Sequence, residues 1–356
     1  MAVHFHSLMV KQVQRETPDC VSISFQIPEE LKETFKFLPG QSITIRHNIA
    51  GEEVRRSYSI CAAPHEQVLK VAVKKIDGGV FSSFANNELS AGTYLDVMPP
   101  TGKFNIKNAG PAHYLAIAAG SGITPVMSII KNILHTQPES TCTLIFGNKS
   151  RRSIIFFEEL EGLKNKWMQR FSFINILSQE RTDATLNNGR ITSEKLEQLS
   201  HIINYATVNE AVVCGPETMI ADAVAFLESK NIAKQNIHFE LFTVPGAITK
   251  TETLKEKPVE KGSKSKITIK LDGRSFDFDL AYDGESILDA ALAQGADLPF
   301  ACKGGVCCTC RAKLVQGEVK MDVNYALEAE EIAAGSILTC QSHPRTPEVV
   351  IDFDVK

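Results

Sequence analysis

Four cysteines near the C-terminus have a spacing that can hold an inorganic cluster. They follow the pattern C-x4-C-x2-C with a distant fourth member: Cys302, Cys307, Cys310 and Cys340. One tight loop can wrap three thiolates around a compact core while the fourth closes the cage from another element, which is the plant-type [2Fe–2S] spacing. Gly304 and Gly305 in the loop can adopt positive φ and leave backbone N–H groups free to bond the sulfurs.

Zinc is the alternative for these cysteines. Structural zinc sites usually pair two C-x2-C knuckles, whereas only Cys307 and Cys310 form one here. A disulfide framework fits less well, because the chain has nine cysteines, an odd number. Cys308 lies outside the ligand spacing, and we interpret it as a packed or polar-facing bystander. The remaining scattered cysteines are interpreted as small buried hydrophobic residues: Cys20, Cys61 and Cys142.

Two short segments of the N-terminal part could handle a flavin. In Arg56-Ser57-Tyr58-Ser59 the arginine offers a donor fork to phosphate, the aromatic ring can lie on an isoalloxazine, and the serine hydroxyl can bond its reactive nitrogen. An isolated match could equally be a surface strand. The Gly78–Ser82 segment, GGVFS, supplies backbone N–H groups before a short helix and suits a pyrophosphate. The two together favour a flavin site.

Two glycine-containing turns further on could meet a nicotinamide nucleotide. The first, Gly120–Pro125, follows the apolar segment YLAIAA and opens the helical segment VMSIIKNIL. Its glycines let the backbone approach a nucleotide at a helix N-terminus, although Pro125 replaces the third glycine of the Rossmann fingerprint. The second, Cys214-Gly215-Pro216, ends a predicted strand at the edge where parallel sheets bind ligands. Cys214 could also be an ordinary buried strand cysteine.

The segment GNKSRRS bears on the choice of nucleotide. It carries three cations and no carboxylate: Lys149, Arg151 and Arg152. Cations around a 2′-phosphate select NADP, whereas an acidic residue on the ribose selects NAD. The segment therefore favours NADPH. An ordinary charged loop is the alternative, and Gln179 stands where many relatives have an arginine, so NADH stays open.

The sequence predicts three folded segments and one linker, and the folded segments position these residues. Residues 1–109 alternate apolar and polar side chains between Pro and Gly turns, which predicts a β-barrel. Residues 110–243 repeat an apolar strand, a glycine turn and a helical stretch, which predicts a parallel α/β domain. Residues 244–266 have the lysine-rich composition of a linker. Residues 267–356 begin with a β-hairpin and a helix that Asp283 could cap and Gly295 could end.

Composition excludes several classes of protein. The 356 residues are 43% hydrophobic and 22% charged, with a net charge of −4, so there is no electrostatic footprint for nucleic acid. No run of about 18 apolar residues and no signal peptide is evident, so we expect no membrane partner and a cytoplasmic location.

The C-terminal segment resembles plant-type ferredoxin domains. The resemblance covers about residues 267–356 and includes GESILDAALAQGADLPFACKGGVCCTCRAKLVQGEVKM and LTCQSHP. It implies a β-grasp fold and a one-electron [2Fe–2S] cluster held by the four spaced cysteines.

The remainder is similar to the ferredoxin–NADP reductase superfamily. RSYS, GGVFS, GSGITP, CGP and HFELF occur in its order between about residues 5 and 243. The resemblance implies that FAD contacts Arg56, Tyr58, Ser59, Lys74, Gly79 and Ser82. It implies that the nucleotide contacts Ser121, Gly122 and Thr124. We also assign to the nucleotide site Gly120, Gly215 and Pro216 of the two glycine-containing turns and Lys149 and Arg151 of the basic segment. Ser59, Cys214 and Glu240 would line the hydride-transfer site, although a glutamate in such a position is usually solvated.

The order of the three segments resembles reductases of bacterial oxygenases. This implies that NADPH gives a hydride to FAD and that the cluster delivers electrons singly to an oxygenase. Another hydroxylase or a desaturase could be the acceptor, and FMN could replace FAD. A zinc-stabilised binding protein without activity is the alternative from a different class. The predicted linker would let the ferredoxin segment move between flavin and acceptor.

Overall fold

The structure, a computed structural model, describes residues 4–108, 110–242 and 263–355. The chain divides into two compact units, one built mainly from His6–Val54 and Tyr58–Phe242 and the other mainly from the C-terminal part. Most of the predicted linker, residues 244–262, lies outside the described residues. Lys264–Leu271 already form a strand in which the lysines at 264 and 266 are exposed and Ser265 is buried, so regular structure begins before the predicted position 267.

Six strands and one helix form the first half of the larger unit. The strands are β1 (His6–Thr17), β2 (Cys20–Gln26), β3 (Ser42–Ile49), β4 (Glu52–Ser59), β5 (Leu69–Lys74) and β6 (Tyr94–Val97). Their order is β4-β3-β6-β1-β2-β5. A bridge from Ile60 to Val71 joins the two edges, so the sheet closes into the predicted barrel. Helix α1 (Val80–Asn87) places Phe81 and Ala85 in the barrel core.

A parallel sheet with helices forms the second half of this unit. The strands are β7 (His113–Ala119), β8 (Thr141–Asn148), β9 (Phe171–Leu177), β10 (Glu210–Gly215) and β11 (Ile237–Leu241). The helices are α2 (Ile123–Thr136), α3 (Phe157–Lys166), α4 (Ser193–Leu199) and α5 (Glu217–Ser229). The strand order is β11-β10-β7-β8-β9, and all pairs are parallel. The carboxyl ends of the strands therefore share one edge, where ligands of open α/β sheets bind.

The C-terminal unit is a mixed sheet packed against a helix, the expected β-grasp arrangement. Its elements are β12 (Lys264–Leu271), β13 (Arg274–Ala281), α6 (Ile287–Ala293), β14 (Arg311–Gln316), β15 (Val319–Met321), α7 (Ala329–Ala333), β16 (Ser336–Leu338), β17 (Ser342–Pro344) and β18 (Glu348–Asp352). The main sheet has the order β13-β12-β18-β14-β16, and β15 pairs with β17. Ser286 caps the N-terminus of α6, because its hydroxyl accepts from the Asp289 amide at 3.2 Å; the prediction that Asp283 caps this helix is therefore wrong. At the other end, Gly295 follows the helix with φ of +86°, as predicted.

One apolar core extends from the barrel to the parallel sheet. Cys61 and Ala72 of the barrel side belong to the same buried cluster as Met127 and Ile130 of α2. Cys20, Cys61 and Cys142 are buried as predicted, and burial raises the pKa of Cys61 and of Cys142 to about 12. Among the described residues, no helix combines the length and the apolar character that crossing a membrane requires.

Candidate functional site

Strand β4 carries the three residues that sequence analysis assigned to the flavin. Arg56 is exposed, Tyr58 is half-buried, and Ser59 is buried at the end of the strand. The Tyr58 ring lies 5.5 Å from the ring of Phe81, which belongs to the first turn of α1. The aromatic ring and the donor fork therefore stand on the strand that adjoins the predicted phosphate loop.

The predicted phosphate loop is held by its own serine. Ser82 is buried, and its hydroxyl accepts from the Ile76 amide at 3.2 Å and donates to the Gly79 carbonyl at 3.3 Å. A Cβ at Gly79 would come within 2.4 Å of the Ser82 Oγ, so only glycine fits here without a shift. Ser82 thus shapes the loop from within, while the first-turn amides of α1 are the donors a pyrophosphate would use.

Lys74 connects the flavin side with the nucleotide side. It ends β5, and its Nζ lies 3.6 Å from the Asp19 carboxylate. The same Nζ is 3.9 Å from the position of a Cβ on Gly120, which begins the turn after β7. A cation therefore stands where the barrel meets the predicted nucleotide turn.

The turn from Gly120 to Gly122 leads directly from β7 into α2. Gly120 has φ of +54°, and a Cβ on Gly122 would meet the Cys214 carbonyl oxygen at 2.1 Å. Thr124 is buried and donates its hydroxyl to the Ser121 carbonyl at 3.0 Å. Two turns that are far apart in sequence therefore touch backbone to backbone, and this close packing requires glycine.

The three residues predicted for hydride transfer come together. Ser59 Oγ donates to Glu240 Oε2 at 3.2 Å, and Glu240 pairs in register with Cys214 across β10 and β11. Cys214 is fully buried, and burial, followed by the nearby Glu240 carboxylate, raises the pKa of its thiol well above the usual range. Glu240 is half-buried on β11.

The turn containing Cys214 ends β10 and starts α5. Gly215 is the last residue of the strand, and Pro216 is the N-cap of the helix. A Cβ on Gly215 would stand 2.5 Å from the terminal methyl group of Met219 and 3.2 Å from the Cβ of Ala119. This turn is therefore packed tightly against the end of β7.

The basic loop after β8 lies beside a second loop. Lys149 and Arg151 are exposed, and the Lys149 carbonyl accepts from the Gln179 amide at 2.8 Å. The Arg151 amide donates to the Glu180 carboxylate at 2.8 Å, so an acidic group that sequence analysis missed lies next to the cations. Only the strand order, which makes β8 and β9 neighbours, brings Glu180 here.

Asn148 lies at the same edge, immediately before Lys149. It is buried, and among the described residues both polar atoms of its side chain lack a hydrogen-bond partner. Buried polar atoms normally have partners, so an orphaned amide at a ligand-binding edge fits a site that a bound nucleotide completes.

The four predicted cluster ligands are gathered as two thiol pairs. Cys307 donates to Cys302, and Cys310 donates to Cys340. In the part of the chain that the structure describes, no three His, Cys, Asp or Glu side chains form a set suited to one metal ion. Two cysteine pairs suit two irons better than one tetrahedral zinc.

Backbone amides support two of these sulfurs. The hydrogen bond from Cys307, with further bonds from the Gly304 and Val306 amides, lowers the pKa of Cys302 to about 6. The bond from Cys310, with that of the Gly305 amide, lowers the pKa of Cys340. Groups that stabilise thiolate also stabilise a cluster ligand, so the donor set fits a [2Fe–2S] centre.

The backbone of the cluster loop differs in part from the prediction. Gly305 has φ of +76°, whereas Gly304 does not adopt positive φ, and Lys303 and Cys308 do so at +52° and +53°. Cys308 donates its thiol to the Ala326 carbonyl at 3.0 Å. It is therefore a polar-facing residue that ties the cluster loop to its neighbour, in agreement with its place outside the ligand pattern.

Comparison with known proteins identifies three domains in the order of the sheets. Residues 7–106 match the oxidoreductase FAD-binding domain, residues 116–225 the oxidoreductase NAD-binding domain, and residues 269–345 the 2Fe-2S iron–sulfur cluster binding domain. The barrel, the parallel α/β half and the C-terminal unit thus match the domain families that bind FAD, NAD and a [2Fe–2S] cluster, respectively.

Two curated relatives and one solved structure are similar along the whole chain. A subunit of the 1,2-phenylacetyl-CoA epoxidase of Escherichia coli K12 is 46% identical over 355 residues, which is 99% of this chain and 98% of that protein. The ferredoxin reductase component of 3-ketosteroid-9-alpha-monooxygenase from Rhodococcus rhodochrous is 31% identical, covering 97% and 96%. Phthalate dioxygenase reductase shares the fold, with a TM-score of 0.57, 19% identity and 98% coverage of both chains. The chain belongs to the family of oxygenase reductase components that join FAD-binding, NAD-binding and [2Fe–2S] domains.

Proposed function

We propose that this reductase component passes electrons from NADPH to phenylacetyl-CoA epoxidase in phenylacetate degradation. The observation that carries the proposal is the meeting of Ser59 with Glu240 beside Cys214, because it joins the predicted flavin strand to the predicted nucleotide edge. When bound, NADPH supplies a hydride, FAD accepts it, and the cluster passes electrons on one at a time.

The residues of the chain have separable roles in this proposal. Tyr58 and Arg56 bind the flavin ring and its phosphates, and the Gly79 turn receives the pyrophosphate. The Ser59 hydroxyl donates its proton to Glu240, so its oxygen would accept from the hydride-accepting ring nitrogen once that nitrogen carries hydrogen. Cys214 and Gly122 form the wall against which the nicotinamide rests, and a neutral buried thiol keeps that wall free of charge.

The acceptor is proposed from the relative that is 46% identical and bears the epoxidase name. A second candidate is an oxygenase of the 3-ketosteroid type, favoured by the relative that is 31% identical. Reconstitution of the chain with each oxygenase distinguishes the two candidate acceptors. The purified chain with NADPH is mixed with the epoxidase components and phenylacetyl-CoA, or with the ketosteroid oxygenase and its steroid, and product formation is compared. Product only in the second mixture overturns the epoxidase proposal.

NADPH is proposed over NADH on the three cations of the basic loop. Lys149, Arg151 and Arg152 are exposed and can meet a 2′-phosphate, whereas Glu180 lies against the backbone of Arg151. Steady-state reduction of ferricyanide with each nucleotide tests this. A higher kcat/KM with NADH contradicts it. We also propose a cytoplasmic location, which cell fractionation with an antibody against the chain tests.

A further inference from the structure

We propose that Lys131 is a positioning residue for hydride transfer. It joins Glu66 of the barrel side to Glu159 of the parallel sheet side, in a cluster that we call the Lys131 clamp (Glu66, Lys131, Glu159). The clamp fixes helix α2, and with it the nicotinamide turn, against the segment that follows Ser59. This inference rests on the proposed function of that turn and of Ser59.

The clamp is a buried lysine between two carboxylates. Lys131 lies on α2 and is 5% exposed. Its Nζ is 2.7 Å from Glu66 Oε2 and 2.8 Å from Glu159 Oε1. Glu66 belongs to the short turn Pro64–Glu66 before β5, and Glu159 lies in the first turn of α3. A single ammonium group thus ties three elements together.

The barrel end of the clamp lies close to the predicted flavin residues in sequence. The Ala63 amide donates to Glu66 Oε2 at 2.6 Å. Ser128, one turn before Lys131 on α2 and fully buried, donates to the Ala62 carbonyl at 2.6 Å. Ala62 and Ala63 follow Ser59 by only three and four residues. Helix α2 therefore holds the chain immediately after Ser59 at two consecutive residues.

The other end of the same helix carries the nicotinamide turn. Thr124 stands in the first turn of α2, seven residues before Lys131, which is two helical turns along a rigid element. A shift of the clamp therefore moves Gly122 and Thr124 relative to Ser59. Hydride transfer depends steeply on the distance between donor and acceptor, and a displacement of about 1 Å can cost about 100-fold in rate.

The charges of the clamp favour a role in positioning helix α2 over a role in overall stability. Desolvation of buried ions offsets most of their attraction, so apolar residues of similar volume often serve stability equally well. Three charged groups with short, directed bonds instead define one arrangement of the helix. Burial alone would raise the pKa of Glu66, but the bond from Lys131 and the Ala63 amide hold that pKa below its usual range, so Glu66 is charged at neutral pH.

The test compares variants of the full chain by anaerobic stopped-flow reduction of the flavin with NADPH. Lys131→Met keeps the length of the side chain and removes its charge. A second variant adds Glu66→Gln and Glu159→Gln, so that neither carboxylate of the clamp stays charged without Lys131; Lys70, whose Nζ lies 3.6 Å from Glu159, also loses a charged partner in this variant. We expect the limiting rate of both variants to fall by about tenfold or more, while the NADPH concentration for half-saturation changes by less than about twofold. Lys131→Arg should recover part of the rate.

The control is Lys230→Met, which breaks a more exposed lysine–glutamate pair at 2.8 Å between the residue after α5 and Glu197 of α4, within the parallel sheet half. It should leave the limiting rate unchanged. A triple variant as fast as the wild type overturns the role of Lys131, and so does an equal loss in the control. If Lys131→Met does not fold, the limiting rates of the triple variant and of Glu66→Gln are compared with the wild type by the same tenfold criterion. Wild-type flavin that neither NADPH nor NADH reduces overturns the proposed function itself, which is a distinguishable result.

Discussion

Ser59 and Glu240 are 181 residues apart in sequence, and a hydrogen bond of 3.2 Å joins their side chains. Ser59 ends a barrel strand, and Glu240 lies on the outermost strand of the parallel sheet. The candidate site is therefore assembled from both halves of the larger unit. We therefore expect substitutions that move the barrel away from the parallel sheet to slow flavin reduction even where cofactor binding is retained.

Replacing Ser59 tests this joint directly. Ser59→Ala removes the bond to Glu240 and the proposed bond to the flavin, and we expect flavin reduction by NADPH to slow by about tenfold, the value of one hydrogen bond in the transition state. FAD content should stay unchanged, because Tyr58 and Arg56 are intact. Stopped-flow absorbance gives the rate, with the exposed Ser172→Ala as control. An unchanged rate would remove Ser59 from the site.

Gly122→Ala should disturb the contact between the two nucleotide turns. The added methyl group would meet the Cys214 carbonyl oxygen at 2.1 Å, a backbone atom that cannot move aside easily. We expect a loss of about 1–3 kcal/mol in unfolding free energy and weaker NADPH binding. Gly162→Ala is the control, since a Cβ there meets nothing within 4 Å. Equal urea unfolding curves for both variants would contradict the packing argument.

Glu210 predicts a pH dependence of stability. Its buried carboxylate accepts from the Lys107 and Asn108 amides at 2.6 and 3.0 Å and from His238 at 2.6 Å. Burial would raise its pKa, but these hydrogen bonds hold the pKa below the usual range. A lowered folded-state pKa stabilises the protein above the ordinary glutamate pKa of about 4.3, and this stability is lost as pH falls from there through the folded-state pKa.

Glu210→Gln should therefore lower the unfolding free energy at pH 7 by about 1–3 kcal/mol. The difference from the wild type should shrink as pH falls below about 4.3, because the carboxylate is then protonated, first in the unfolded chain and at lower pH in the folded one. Urea unfolding at pH 7, 4 and 3 measures this. A difference that stays constant with pH would show that the charge of Glu210 is not involved.

Cys308 and Cys340 should respond oppositely to substitution. Cys308→Ala removes the thiol bond to the Ala326 carbonyl and should leave the iron content at the wild-type level. Cys340→Ala removes one member of a thiol pair and should lose most of the iron and its visible absorption. Iron analysis of the purified variants measures both. Loss of iron from the Cys308 variant would make it a ligand.

The sequence predicts local patterns better than contacts between distant segments. The cysteine spacing, the hairpin at residues 267–280 and the glycine turns are local, and the structure contains each of them. Ser286 rather than Asp283 caps α6, because several polar residues precede that helix and tertiary packing selects one. Glu180 beside Arg151 and Lys131 between Glu66 and Glu159 depend on strand order and helix docking, which no local pattern contains.

We propose that NADPH reduces the flavin and that the flavin reduces the cluster within this chain. Visible spectra of the purified protein, recorded anaerobically before and after addition of NADPH or NADH, test this electron path. We expect flavin and iron–sulfur bands that both bleach, faster with NADPH. A cluster that stays oxidised while the flavin is reduced, or a spectrum without an iron–sulfur band, would contradict it.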